Sequence, residues 1–232
     1  MGIILVVKVT LRYVTPGSCP SNSNADLFKP NLNLMTLPDF IATYDKPGAV
    51  VLLEGNREVR PEDGPKLTAL ATLLAQRTQH MRFRSGNAGG ADAFFAAGVV
   101  AVNPARLEVV TPYSGHRRAY NEAGTTVDLG MVNMAAEPEV PYQTKQATPA
   151  NAGLVDHYLD GARDRNAQKA PYLLRDTLKV TGADSAGLAP ATCGLFYHVS
   201  TKTTSGTAHT MRVCEQLGVP AYDQRVWMGW VL

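Results

Sequence analysis

The sequence predicts an α/β protein: a Rossmann-like three-layer fold on a mostly parallel sheet, with an N-terminal extension and an inserted loop region. Three observations lead there. Apolar runs of strand length alternate with segments whose apolar residues recur at helical spacing. Two strand-to-helix joints, SGNAGGAD (85–92) and STKTTSGTAHT (200–210), are rich in glycine and hydroxyl residues. The 232-residue chain, 45% apolar and 18% charged, can bury such a sheet beneath helices without staples.

The elements follow in order. Val7, Val9, Leu11 and Tyr13 alternate with Lys8, Thr10 and Arg12, the two-residue period of a half-buried strand. Residues 15–48 are rich in Pro, Asn, Ser and Gly and are expected to be irregular, so residues 1–48 form the extension and 49–232 the main domain. AVVLLEG (49–55) is apolar throughout, as a strand covered on both faces requires. Next, Leu67, Leu70, Ala71 and Leu74 set an i, i+3, i+4, i+7 stripe behind Glu62 and Asp63, acidic residues suited to a helix's first turn. HMRFRSG reads as a strand, GGADAFFAAGVVAV as a helix and RLEVVTP (106–112) as a strand. Residues 113–153, polar and spotted with Gly and Pro, break the alternation and read as a lid or oligomerisation arm. Residues 154–178 read as a helix interrupted near Pro171. ATCGLFYHVS (191–200) is the next core strand, GTAHTMRVCEQLG a helix and VPAYDQ a short final strand.

Composition excludes several classes. A net charge of +2, without basic runs, does not suit a nucleic-acid grip. Cys19, Cys193 and Cys214 form no even framework and no CxxC pair, so free thiols in a reducing compartment are expected. His80, His157 and His198 show no ligand spacing with them, and neither a metal nor a cofactor is expected. The opening apolar run is too short for a signal core or a membrane span, so a soluble, cytoplasmic protein is expected.

Open α/β sheets take ligands at the carboxyl ends of their strands, and three features fall on that edge. In EGNRE (54–58), Gly55 permits close approach and Arg57 supplies a cation; Glu54 is the best-placed carboxylate for any catalysis. In SGNAGGAD, Gly86, Gly89 and Gly90 clear a path to helix-start amides, Ser85 adds a hydroxyl, and Asp92 could cap the helix or meet a ribose. In the second joint, Ser205, Gly206 and Thr207 make another anion nest, beside which His209 could contact phosphate or act as acid or base. Arg117 and Arg118 stand in the expected lid, while Trp227 and Trp230 read as a packing or dimer patch.

The run GNRE, RSGNAGGADAFFAAG and VVTP, followed by SGTAHTMRVCEQLGVPAY, resembles the SLOG superfamily, which spans the DNA-processing protein A fold, the LONELY GUY phosphohydrolases and many phage-encoded relatives. The likeness covers roughly residues 49–112 and 154–223. Arg165 and Asn166 resemble a pair in phage-type members. Where the LONELY GUY enzymes carry PGGxGTxxE, His209 or Thr210 replaces the glutamate, so the resemblance does not bring their hydrolysis with it.

Residues and resemblance together imply a homo-oligomeric, non-catalytic protein that binds a nucleotide or nucleotide-derived small molecule. A phage-type member could thereby sequester a nucleotide immune signal in the host cytoplasm as an anti-defence device. The alternatives are a nucleotide-cleaving N-glycosidase or phosphohydrolase, with Glu54, Asp92 and His209 as nominees, and a single-stranded DNA-binding protein.

Overall fold

The structure, a computed structural model, describes residues 35–165, 167–199 and 204–231, the last without its side chain. The strand expected at 7–13, Cys19, Asn166 and residues 200–203 of the second joint lie outside the described residues.

Six strands form one sheet in which every pairing is parallel: β1 (Val50–Gly55), β2 (Arg82–Ser85), β3 (Leu107–Thr111), β4 (Thr125–Asp128), β5 (Cys193–Tyr197) and β6 (Ala221–Asp223). Their spatial order is β4-β3-β2-β1-β5-β6. The chain winds outward from β1 through β4, then returns to β1's other side with β5. Strand order therefore reverses between β1 and β5, where the outward crossovers leave a crevice at the carboxyl edge.

Period-two geometry splits β1 between two cores. Val51 and Leu53 face one, and Leu52 faces the other. The first core is covered by α1 (Leu37–Tyr44), α2 (Gly64–Arg77) and α3 (Ala91–Val100). The expected stripe of Leu67, Leu70, Ala71 and Leu74 is wholly buried there. Trp227, in the short α8 (Gln224–Trp227), is also buried, with its indole N–H donating to the Phe196 carbonyl at 3.2 Å. It packs the core.

The opposite face carries α4 (Glu139–Ala147), α5 (Ala152–Leu159), α6 (Ala170–Thr181) and α7 (Gly206–Gln216). Cys214, on α7, is a buried thiol whose pKa burial pushes up to about 12; Cys193 is raised for the same reason. Neither is a nucleophile at neutral pH.

Three expectations change. Leu37–Tyr44, within the stretch expected to be irregular, is the helix α1, and its Leu37 and Phe40 are buried in the first core. Part of 113–153 belongs to the fold: β4 adds the edge strand beside β3, and α4 packs on α6 and α7. Hydropathy hides both. Only Val127 of β4 is buried, and the buried stripe of α4 is Val140, Gln143, Thr144 and Ala147, half of it polar. Pro171 does not interrupt a helix but helps start one, since α6 opens at Ala170 and an early proline forfeits only an amide that has no intrahelical partner.

Among the described residues no helix is long and apolar enough to cross a membrane, and no group of three His, Cys, Asp or Glu could hold a metal ion.

Candidate functional site

A cleft of about 640 Å³ opens at the β1/β5 reversal. Glu54 and Gly55 end β1 and form its floor, Asn56, Arg57 and Glu58 one wall, and Thr204–Thr207 another. Ala88 and Asp92 belong to the first glycine joint, and Lys169, Tyr172, Leu173, Arg175, Asp176 and Lys179 to the start and inner face of α6.

The first joint is built around its own carboxylate. Asp92 Oδ1 accepts the amide of Gly55 at 3.1 Å, while Oδ2 accepts those of Gly86 at 3.2 Å and Ala88 at 3.3 Å. An internal anion thus occupies amides that the sequence offered to phosphate. Asp92 is a clamp that ties β1, the loop and α3 together. Gly90 makes the clamp feasible: its φ is +79°, and a Cβ there would run into the backbone carbonyl of Arg57. A guanidinium also hangs over the joint, since a Cβ on Gly89 would lie 3.8 Å from Arg117. Asn87 Nδ2 ties loop 113–118 to the joint by donating to the carbonyls of His116 at 3.2 Å and Arg117 at 3.4 Å.

The second joint is differently disposed. Ser205 caps α7, its Oγ accepting the amide of Ala208 at 3.1 Å. The amides of Gly206 and Thr207 have no acceptor within the helix, and both residues line the cleft. Arg57 lines the same space, solvent-exposed and without an ion pair among the described residues.

Sequence reasoning missed the cleft's inner wall. Lys179 Nζ is 2.6 Å from Glu54 Oε2 and 2.8 Å from Asp176 Oδ1, and Asp176 lies 3.0 Å from Arg175 Nε. Arg175 Nη1 also donates to the Gly86 carbonyl, and a Cβ on Gly86 would strike this guanidinium. All these groups are buried. Burial, opposed by Lys179 and reinforced by Asp92 and Asp176, pushes Glu54 up to about 7. Asp176 stays below the ordinary carboxylate range: burial would raise it, but Arg175 and Lys179 outweigh that. Among the described residues, the buried Glu54 Oε1 has no hydrogen-bond partner. It can accept a hydrogen bond, or donate one when protonated.

Of the residues singled out in the sequence, Gly55, Arg57, Asp92, Ser205, Gly206 and Thr207 line the cleft, as does Glu54. Ser85, Gly86, Gly89, Gly90 and His209 are not among its lining. Ser85 is buried with its hydroxyl unpartnered. Arg118 and Arg165 also lie off the lining.

No family model matches the chain, and no curated protein matches it. Among solved structures it is similar to DNA processing protein A from Helicobacter pylori, described for a unique single-stranded DNA binding mode. The identity is 14% and the TM-score 0.46. The match covers 77% of this chain and 66% of that one, just under two thirds of its length.

His209 is a structural histidine. It is 1% exposed, with Nδ1 2.7 Å from Thr148 Oγ1 and Nε2 3.0 Å from Thr177 Oγ1. Thr144 Oγ1 donates to the Val140 carbonyl and lies 2.7 Å from Thr177 Oγ1, so the imidazole sits in a buried hydroxyl network. Burial leads the causes that lower this imidazole to about 4. The unfolded chain takes up a proton near 6.5 that the fold refuses, so stability is lost as pH falls from about 6.5 toward 4. On the order of 3 kcal/mol is at stake. Urea titrations at pH 7 and pH 4.5 should show that loss, and His209→Gln should flatten it; an unchanged slope in the variant would refute the neutral-imidazole assignment.

Proposed function

We propose that the protein binds a nucleotide or nucleotide-derived small molecule in this cleft, phosphate at the rim and sugar on the floor. The rim offers the anion the α7 amides of Gly206 and Thr207, which have no acceptor within the helix, and the Arg57 guanidinium. Glu54 and Asp92 repel phosphate from the floor, yet carboxylate oxygens suit sugar hydroxyls, and Asp176, whose Oδ2 stands against Gly206, is compensated there by Arg175 and Lys179. The observation that carries the reading is one ligand-sized cleft that joins the buried Glu54, whose Oε1 has no hydrogen-bond partner among the described residues, with the α7 start and Arg57 at its rim. Of the two sets of amides expected to hold phosphate, 86–92 and 205–209, this reading keeps those of Gly206 and Thr207, because Asp92 already accepts the amides of Gly86 and Ala88.

Thermal melting against mononucleotides, dinucleotides and cyclic nucleotides tests the reading. A ligand at 100-fold over its Kd adds about 2.7 kcal/mol of stability. Arg57→Ala should weaken the bound ligand about tenfold or more, with little change in unliganded melting, because the side chain is exposed and without an ion pair among the described residues. No shift with any nucleotide refutes the proposal.

One observation favours a second reading, nucleotide cleavage. A carboxyl group poised near pH 7 in a ligand-sized cleft can act as general acid or base. Under that reading, chromatography detects free base or phosphate in wild-type incubations and not with Glu54→Gln. Intact ligand after denaturing the complex supports binding alone.

A further inference from the structure

Tyr172, on the cleft lining, and two aromatic rings packed beside it have no part in the core. Tyr113 and His116 come from the loop after β3, and Tyr172 from the first turn of α6. Ring centroids are 5.0 Å apart for Tyr113–His116, 5.8 Å for His116–Tyr172 and 6.4 Å for Tyr113–Tyr172, each pair edge to face. None of the three belongs to a core cluster, and Tyr113 remains 50% exposed. A side-chain hydrogen bond between Tyr113 and Tyr172 holds the group together away from the core. Tyr172 lines the cleft together with Arg57, Arg175 and Lys169. Its neighbour His116 is held neutral, lowered by burial and by Arg175, Arg117 and Arg57.

From this placement, and resting on the nucleotide reading above, we propose that Tyr172, supported by Tyr113 and His116, forms a stacking subsite for the ligand's heterocyclic base. A planar base needs a π-face beside, not within, the charged floor, and stacking is tolerant of base identity. The ligand then spans the cleft, with phosphate at α7 and base against α6. The loop 113–118 supports the stacking ring, and Asn87 fixes that loop to the first glycine joint.

Calorimetric titration with AMP, GMP, CMP, UMP and ribose 5-phosphate tests the subsite. The wild-type protein should bind at least one mononucleotide about tenfold or more tightly than ribose 5-phosphate, the margin one stacked base supplies. Tyr172→Ala should erase that margin while ribose 5-phosphate binds unchanged, which also shows that the variant is folded. Tyr172→Phe should keep most of it. If ribose 5-phosphate and all four nucleotides bind equally, or if Tyr172→Ala preserves the margin, the stacking subsite is overturned while the phosphate reading stands. If none of the five binds, the stacking subsite is overturned, and the melting series with dinucleotides and cyclic nucleotides decides the underlying nucleotide reading.

Discussion

Lys179→Met is expected to destabilise the protein by about 3–5 kcal/mol at pH 8, and by clearly less at pH 5.5. Lys179 is 2% exposed and neutralises two carboxylates that are nearly as buried. Without it, Asp176 keeps Arg175, but Glu54 loses its only cationic contact among the described residues. Burial already pushes Glu54 up to about 7, and removing the ammonium raises it further. A carboxyl group raised in the fold binds protons that the unfolded chain releases, so its burden is absent below the unfolded value near 4.5 and grows as pH climbs through the folded value. The variant should therefore recover stability in acid, and adding Glu54→Gln should recover part of it at pH 8. Chemical denaturation at the two pH values reads both effects. Equal losses at both would mean that the ion network contributes packing rather than charge compensation.

The second large effect concerns Gly90→Ala, expected to cost about 2–4 kcal/mol and to weaken ligand binding. The residue has φ +79° and its missing Cβ faces the backbone carbonyl of Arg57, which cannot swing aside as a side chain would. Any relief must shift residues 56–58, and with them Arg57. Gly115→Ala is the control: φ there is +76°, but open space surrounds the Cβ, so only the backbone strain of about 1 kcal/mol applies. Comparing the two by denaturation separates strain from crowding; similar losses would show that the approach of the Arg57 carbonyl has no consequence.

The sheet was readable because β1, β3 and β5 are buried along their length and are mostly apolar, broken only by single polar residues such as Glu54 and Glu108. The short β4 escaped because one valine is its whole buried content. At the site, Gly55, Arg57 and the start of α7 could be placed from sequence, since glycine and hydroxyl residues after an apolar run mark the carboxyl edge. Arg175, Asp176 and Lys179 could not. Hydropathy assigns charged residues on a helix to solvent, and here they share the buried side with Leu174 and Leu178 because they compensate one another and Glu54. A detectable signal existed: in APYLLRDTLKVT the charges stand among leucines rather than opposite them. Asp92 shows the reverse difficulty. A carboxylate beside a glycine-rich turn suggested either a cap or a sugar contact, and only the three amides converging on it reveal the clamp.

The location of the anion can be read directly from backbone amide chemical shifts in a ribose 5-phosphate titration of isotopically labelled protein. The account predicts that Gly206 and Thr207 shift most and saturate together with Arg57, while Gly86 and Ala88, already bonded to Asp92, move little. Dominant, saturable shifts at Gly86 and Ala88 with Gly206 and Thr207 silent would contradict it.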